Sequence, residues 1–179
     1  MLASLKQNLR SLWPLREAKP LKISAQEEYG IRCLLQIGRR TESGGTTISE
    51  ISKAERITPS NTAKLVRILR INGLVESSRG KDGGYTLARA PEEIKLSEVF
   101  DVLGGRLFDV GFCDHYAGTD EVCAHFDHCT VRSFWCAIQS VLDHVLDQTT
   151  LSHLMDPTGL GWWETCLTAN PLLNTTQKS

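Results

Sequence analysis

One short segment of the chain concentrates side chains that bind metals or carry redox chemistry. Residues 111–136, GFCDHYAGTDEVCAHFDHCTVRSFWC, hold four of the six cysteines and three of the five histidines. Thiolates and imidazoles are the usual ligands of zinc, and thiolates also hold iron–sulfur clusters. We therefore predict a metal or redox centre in this segment.

The composition favours reduced cysteines over disulfides. The chain has 179 residues, 41% of them hydrophobic and 23% charged, which is typical of a globular domain that needs no covalent crosslinks. Basic side chains are spread through its first twenty residues, and no stretch is apolar for long enough to span a membrane. We expect a cytoplasmic, reducing location without membrane contact, where clustered cysteines more often serve metal or redox chemistry.

The charge is strongly polarised along the chain. The net charge is +3 over residues 1–20, +5 over residues 21–90 and -9 over residues 91–179. A basic first half indicates a polyanionic partner, although solvated faces are often charged without any such role.

Two short helices in the basic half form a helix-turn-helix pattern. They follow a first core helix, SAQEEYGIRCLLQIGRR, for which Ser24 is the predicted N-cap. The first of the two, TTISEISKAERI, is capped by Thr47 or Ser49. The second, ITPSNTAKLVRILRINGL, is capped by Thr58 and has Pro59 in its first turn. This second helix is the expected recognition helix.

The recognition helix carries candidate DNA contacts at its start. Its first turn can enter a major groove, so Ser60, Asn61 and Lys64 are candidates for base edges or nearby phosphates. Arg67 lies one turn further on. The ordinary alternative is the polar face that any amphipathic helix has.

A β-hairpin is predicted directly after this helix. LVESSRGKDGGYTLAR reads as strand, turn and strand, with glycines at the tip. Such a hairpin is a wing, and Arg79 and Lys81 at its tip would reach phosphates or a minor groove. A nucleotide-binding loop is the competing interpretation, but the Lys-Ser/Thr pair that such a loop requires is absent.

The second half is predicted to hold a short helix, the cysteine segment and a long helix. Ser97 is the expected cap of the short helix, and Gly104 is its expected end. From Cys129 a long apolar stripe follows at spacings of three and four, comprising Val131, Phe134, Trp135, Ile138, Val141, Leu142, Val145 and Leu146. The chain contains no second long helix to cover it, so we expect a homodimer, which suits a palindromic DNA site.

The predicted fold is mainly α with a small β-wing, a winged helix-turn-helix followed by a long dimerisation helix. The expected divisions are an N-terminal basic extension at 1–20, a winged helix-turn-helix DNA-binding domain at 21–92, a linker helix with a cysteine-rich metal loop at 93–128, a dimerisation helix at 129–155 and a C-terminal tail at 156–179.

Residues 21 to about 155 resemble the winged-helix family of the iron–sulfur regulator IscR and the nitric-oxide sensor NsrR. The resemblance is carried by EEYGIRCLL, ISEISKAERI, PSNTAKLVRILRINGLVES, RGKDGGYTLAR, IKLSEVFDVLGG and CTVRSFW, in that order. It implies a dimeric DNA-binding regulator, in many members with an iron–sulfur cluster held by three cysteines before the dimer helix; members without a cluster exist. Relatives begin near the residue matching Leu21, so residues 1–20 are an added basic amphipathic arm or an upstream start.

The resemblance also extends to individual DNA contacts. Ser60, Asn61 and Lys64 match positions near the start of the recognition helix that contact DNA in relatives, and Arg79 matches a wing arginine. Ala63 stands where IscR has a glutamate used in site discrimination, so the IscR target sequence does not transfer to this chain.

The implied cluster ligands are Cys113, Cys123 and Cys129, and the implied cofactor is a 2Fe-2S cluster. Cys123 and Cys129 would point about 120° apart on a regular helix, so they must lie on a loop. The gap between them matches the family, whereas nine residues separate Cys113 from Cys123. Cys136 stands about 10 Å beyond Cys129 on a continuous helix and is expected to be a buried helical cysteine.

The fourth ligand is open. Arg132 occupies the position of the IscR histidine ligand, and an arginine cannot ligate iron. Glu28 aligns with an acidic position from which relatives such as NsrR ligate the partner subunit's cluster; its alternative role is a surface glutamate in a helix first turn. His125 or His128 could ligate from the loop instead.

Three other interpretations of the cysteine segment are open at the level of sequence. Zinc suits the same ligands, but the close pairing typical of structural zinc sites is absent. A metal-free thiol switch is the second. An enzyme with Cys129 as nucleophile and His125 or His128 as base would need an orienting group that the sequence does not supply, so we expect no enzyme.

Overall fold

A computed structural model describes residues 23–78, 83–106, 108, 111–115, 123, 125 and 128–156. The elements in this part are α1 (Ala25–Arg40), α2 (Ile48–Glu55), α3 (Pro59–Ile71), β1 (Val75–Ser77), β2 (Tyr85–Leu87), α4 (Leu96–Leu103), α5 (Phe112–His115), α6 (Thr130–Gln148) and α7 (Leu151–Met155). The predicted mainly helical fold with a two-stranded wing is confirmed. The predicted N-terminal extension at 1–20, the tail beyond Asp156 and the wing tip at 79–82 lie outside the described residues.

The first helix forms one wall of the core. The predicted cap of α1 is confirmed: the Glu27 amide donates to Ser24 Oγ at 3.2 Å, and the Ser24 amide donates to the Glu27 carboxylate at 2.6 Å. The apolar face of α1 is buried against α2, α3 and α4. The core consists of Cys33, Leu34, Ile37, Ile51, Leu65, Val66, Leu69, Leu74, Val75, Leu87, Ile94, Val99, Leu103 and Leu151.

Local capping residues set the bounds of the helix-turn-helix. Thr47, rather than Ser49, caps α2, and Thr58 caps α3 with Pro59 as its first residue. Between the two helices Arg56 adopts a left-handed conformation, with φ at +55°. This conformation ends α2 abruptly, so that only three residues, 56–58, separate α2 from α3.

The wing is a two-stranded antiparallel sheet with a short third contact. Val75 pairs with Leu87, and Ser77 pairs with Tyr85. The backbone of Thr46, just before α2, also exchanges hydrogen bonds with Tyr85 at 2.8 and 3.0 Å. Gly84 permits this close approach, because a Cβ there would lie 3.0 Å from the Thr46 backbone. The wing is therefore anchored to the start of the helix-turn-helix.

The linker helix and the long helix are tied together at their ends. The prediction that Ser97 caps α4 is wrong: the helix begins at Leu96, with Lys95 as an N-cap that makes no side-chain hydrogen bond. The Leu96 amide instead donates to the carbonyl of Thr149 at 2.8 Å, and the chain around Thr149 separates α6 from α7. The segment predicted as one dimerisation helix at 129–155 thus comprises two helices.

The apolar stripe of α6 is only partly covered within the described chain. Gln139 is the one buried residue of this helix, whereas Val131 and Phe134 are 59% and 57% exposed. The expectation that Cys136 is buried is wrong for the single chain, because Cys136 lies on the uncovered part of α6 and is exposed. No helix in the described residues is long and apolar enough to cross a membrane.

Candidate nucleic-acid interface and cysteine site

The recognition helix α3 has a buried face and a free polar face. Thr62, Leu65, Val66 and Leu69 point into the core. Three of the predicted DNA contacts, Ser60, Lys64 and Arg67, are exposed at spacings of four and three, which places them along one side of the helix. The structure thus brings these three predicted residues together on one surface.

Asn61 is half-buried at the edge of this surface. Its backbone amide donates to Thr58 Oγ1 at 3.3 Å and is therefore part of the helix cap. Ala63, the next exposed position, has no polar group to offer. Arg79 and Lys81, the predicted wing contacts, lie outside the described residues.

The exposed cations of α3 are available for phosphates. Lys64, Arg67 and Arg70 are exposed, and none of them forms an ion pair with a carboxylate of the described residues. Arg56 in the turn before α3 is also exposed, and it is not among the DNA contacts predicted from the sequence. Arg56 could have been predicted as a DNA contact, because a basic residue in the turn of a helix-turn-helix can lie near backbone phosphates.

A half-buried polar network fixes the helix-turn-helix to α1. Arg32 Nε donates to Glu55 Oε2 at 2.6 Å, and Gln36 Nε2 donates to Glu55 Oε1 at 2.5 Å. The Glu55 side chain is only 10% exposed, so these charge-assisted bonds satisfy a carboxylate that would otherwise be costly to bury. The end of α2, and with it the start of the turn, is therefore held in place.

The cysteine site begins at the first turn of α6. Cys129 is the N-cap of this helix, and its Sγ accepts a hydrogen bond from the Arg132 amide at 3.2 Å. Cys113 lies on the short helix α5 and is half-buried, as is Cys123. Cys129 thus connects the loop directly to the helix that carries the partly exposed apolar stripe.

Arg132 lies among the sulfur atoms. Its guanidinium donates a hydrogen bond to Cys113, which is the main cause that raises the pKa of Arg132 above its ordinary value. Electrostatic interactions of the guanidinium with Cys113, Cys129 and Cys136 act in the same direction. The position expected from IscR to hold a ligand therefore holds a positive charge facing the thiols.

A chain of aromatic rings links α5 to α6. The ring centroids of Phe108 and Phe112 are 4.8 Å apart, those of Phe112 and Trp135 are 6.3 Å apart, and those of Phe134 and Trp135 are 5.3 Å apart. The link cannot be read from the sequence, because Phe108 and Phe112 belong to no periodic pattern. A movement of α5 would therefore change the packing of Trp135 and Phe134 on α6.

The sequence of residues 23–157 matches the family described as Rrf2, iron-dependent transcriptional regulator. The chain belongs to the Rrf2 family. It is therefore a DNA-binding transcriptional regulator with a winged helix-turn-helix, and the prediction that it is not an enzyme is confirmed. The recognised resemblance to IscR and its relatives is confirmed as well.

Relatives of this Rrf2 regulator match most of its length. CymR of Bacillus subtilis is 31% identical over 134 residues, which are 75% of this chain and 89% of that protein. IscR of Cronobacter sakazakii is 28% identical over 136 residues, which are 76% of this chain and 81% of that protein.

Two solved structures share the fold. That of T. potens IscR has a TM-score of 0.61 at 27% identity and covers 75% of this chain and 86% of its own. That of CymR, described as the global cysteine regulator of B. subtilis, has a TM-score of 0.62 at 31% identity and covers 76% and 97%.

The donor types of this Rrf2 regulator suit an iron–sulfur cluster, because Cys113, Cys123 and Cys129 are free thiols in or beside one loop. The described residues do not bring them into a common ligand shell: no three His, Cys, Asp or Glu side chains among them lie close enough to hold a metal ion.

The candidate fourth ligands lie apart from the thiols or on the surface. Glu28 is 60% exposed on α1, and its carboxylate lies 4.0 Å from the guanidinium of Arg32. This matches its alternative role as a surface glutamate in the first turn of a helix. His125 and His128 are exposed and joined by a backbone hydrogen bond of 3.3 Å.

Proposed function

We propose that this Rrf2 regulator is a homodimer that binds a palindromic DNA site and whose affinity is set by an iron–sulfur cluster, in the 2Fe-2S form, that responds to redox state, nitric oxide or iron–sulfur supply. Cys113, Cys123 and Cys129 would hold the cluster, with Glu28 of the partner subunit as fourth ligand. A DNA-binding regulator works where the DNA is, so a cytoplasmic location is part of the proposal.

The observation that carries this proposal is the position of Cys129. Its sulfur caps the helix on which Val131 and Phe134 are exposed, so ligation of Cys129 would alter the first turn of α6. Since Arg132 already lies beside Cys113, its charge would offset the negative charge of thiolates and cluster. A change in the cluster and a change in the dimer contact would therefore both act on the first turn of α6.

The exposed stripe supports dimerisation through α6. Val131 and Phe134 are more than half exposed, and large apolar side chains that share one face of a long helix commonly mark a contact surface. In a two-fold dimer the two α3 helices would face successive half-sites, and their separation would depend on how the α6 helices cross. The proposed DNA contacts are Ser60, Asn61, Lys64, Arg67, Arg79 and Lys81, with Arg56 added from the structure.

Anaerobic purification tests the cluster directly. We expect a coloured protein with two irons and two sulfides per chain, as the 2Fe-2S formula requires. Cys123→Ala is expected to lose the colour and the iron, because one of three thiolates is removed. Cys136→Ala is the matched control, since Cys136 is exposed and lies outside the proposed ligand set; it should keep the colour.

A zinc site or a metal-free thiol switch is the second candidate. The metal-free switch is favoured by the absence of an assembled ligand trio among the described residues. One relative is described as a global cysteine regulator, and a thiol switch fits a chain whose loop cysteines are partly accessible. A colourless anaerobic protein with one zinc, or with no metal at all, would replace the cluster proposal with this one.

A further inference from the structure

A cleft lies at the base of the wing. It has a volume of about 590 Å³ and is lined by the end of α1, the segment that follows β2 and the last residue of α7. None of the described residues that line it belongs to α6, so the cleft lies outside the proposed subunit contact.

The floor of the cleft is apolar and partly open. Leu87, the last residue of β2, is buried there, and Met155 is half-buried. Gly38 of α1 allows Met155 to pack closely, because a Cβ at this glycine would lie 2.9 Å from Met155 Sδ. Ala88 and Ala90 line one side of the cleft and are exposed. The cleft can therefore accept further apolar side chains against Leu87 and Met155.

The charges around the cleft balance. Two basic side chains, Arg39 and Arg89, and two acidic ones, Glu42 and Glu92, line it, so it attracts neither DNA nor a strongly basic segment. Arg89 is already paired with Glu98 at 2.5 Å. Arg39 is exposed and forms no ion pair within the described residues. An occupant should therefore be mainly apolar, with a carboxylate for Arg39.

The chain itself supplies such a segment, and it leaves the described fold at the cleft. Met155 lines the cleft, and residues 157–179 follow with one acidic and one basic side chain among them. Trp162 and Trp163 are adjacent in this segment, and its one carboxylate side chain, Glu164, comes next. The six residues 156–161 include one proline and two glycines, which favour a turn, and they can span up to about 20 Å. The tryptophans can therefore reach back to the cleft.

We infer that residues 157–179 dock into this cleft of their own chain. The two tryptophans would pack against Leu87 and Met155, and Glu164 would lie beside Arg39. The family match ends at residue 157, so nearly all of this segment lies outside the part that the chain shares with the family.

Docking would brace the wing against α1. The Leu87 amide at the end of β2 donates to Thr41 Oγ1 at 3.1 Å, and both residues line the cleft. A segment packed on Leu87 would hold this end of the wing in place. Residues 1–22 are a poorer occupant, because they are basic and join the start of α1, which lies about 24 Å from the end of α1 at the cleft.

Chymotrypsin digestion of the full-length protein tests the docking, because this protease cleaves after tryptophan. Cleavage after Trp163 should be slower by roughly tenfold or more in the native protein than in a synthetic peptide of residues 157–179. Ala88→Glu places a charge and added bulk on the exposed side of the cleft and should speed this cleavage several-fold. Ala54→Glu, at an exposed alanine of α2 outside the cleft, is the matched control and should leave the rate unchanged. Equal rates in the native protein and the peptide would overturn the inference.

A photoreactive benzophenone amino acid in place of Trp163 gives a second measurement that leaves the cleft unchanged. Ultraviolet light should join it to residues 38–42 or 87–92, which are distant from it in sequence. A mixture of isotope-labelled and unlabelled chains should show these links within one chain. Links between chains only would overturn the inference in favour of a second copy, and links only to α6 would overturn it in favour of the subunit contact. The absence of any link to residues 38–42 and 87–92 would also overturn it.

Discussion

Arg132 shows how a single residue can alter the expected chemistry of a site. A histidine at this position would offer a ligand, whereas the guanidinium donates to Cys113 and leaves the fourth ligand to another group. The substitution is readable from the sequence because the spacing from Cys129 is local. The contact with Cys113 is not, since eighteen residues separate the two and most of the intervening loop has no periodicity.

Cys33 contrasts with the loop cysteines because it is fully buried in the core. Burial is the main cause that raises the pKa of this thiol from 9.0 to about 12, and the nearby Glu55 carboxylate adds to it. Between those two pH values the unfolded chain would release the proton while the folded chain keeps it. The contribution of Cys33 to stability is therefore present below pH 9 and is lost as the pH rises toward 12.

Urea unfolding of the wild type and of Cys33→Ala tests this pH dependence. The variant should be less stable at pH 8 because it leaves a cavity, by roughly 1–2 kcal/mol. The difference in free energy of unfolding should shrink by about 1 kcal/mol per pH unit above pH 9, since only the wild type has this thiol to titrate. A difference that stays constant from pH 7 to pH 11 would contradict the burial-shifted thiol.

At the scale of elements, local signals were sufficient for the helix-turn-helix. The caps Ser24 and Thr58 act on amides within three residues, so their effect can be read without the fold. Ser97 failed as a cap because α4 starts where its first amide meets the distant carbonyl of Thr149. Likewise the exposure of Cys136 depends on what covers α6, which a single chain's sequence does not specify.

Substitutions on the polar face of α3 should distinguish overall DNA affinity from sequence specificity. Arg67→Ala should weaken binding to every duplex about equally and lower the slope of log affinity against log salt by about 1, because one phosphate contact is lost. Asn61→Ala should cost roughly 1–3 kcal/mol at the preferred site and little elsewhere, because a base contact is lost.

Fluorescence anisotropy with a selected site and a scrambled duplex measures both effects. Lys95→Ala is a suitable control, since it removes an exposed cation outside the helix-turn-helix and the wing. If Arg67→Ala left binding and its salt dependence unchanged, the exposed face of α3 would not be the DNA-contacting surface.

At the scale of the whole molecule, one region carries the proposed DNA contacts, and a second region carries the cysteine loop and α6. The wing and α3 are held by the core and by the Glu55 network, while Cys129 and the aromatic rings connect the cysteine loop to α6. The family, and with it DNA binding, followed from the order of motifs along the sequence. The cluster ligands could not be predicted from the sequence in the same way, because the positions of the thiols depend on a long loop and on a second subunit.

Cluster control of DNA binding is tested most directly by the DNA affinity of one protein preparation with and without its cluster. Sites would be selected anaerobically from random duplexes with each form, and the affinities of both forms would be measured at fixed salt. If the cluster controls binding, the two affinities should differ at least tenfold on a selected palindromic site and little on scrambled DNA. Equal affinities of the two forms for the selected site would contradict cluster control of DNA binding.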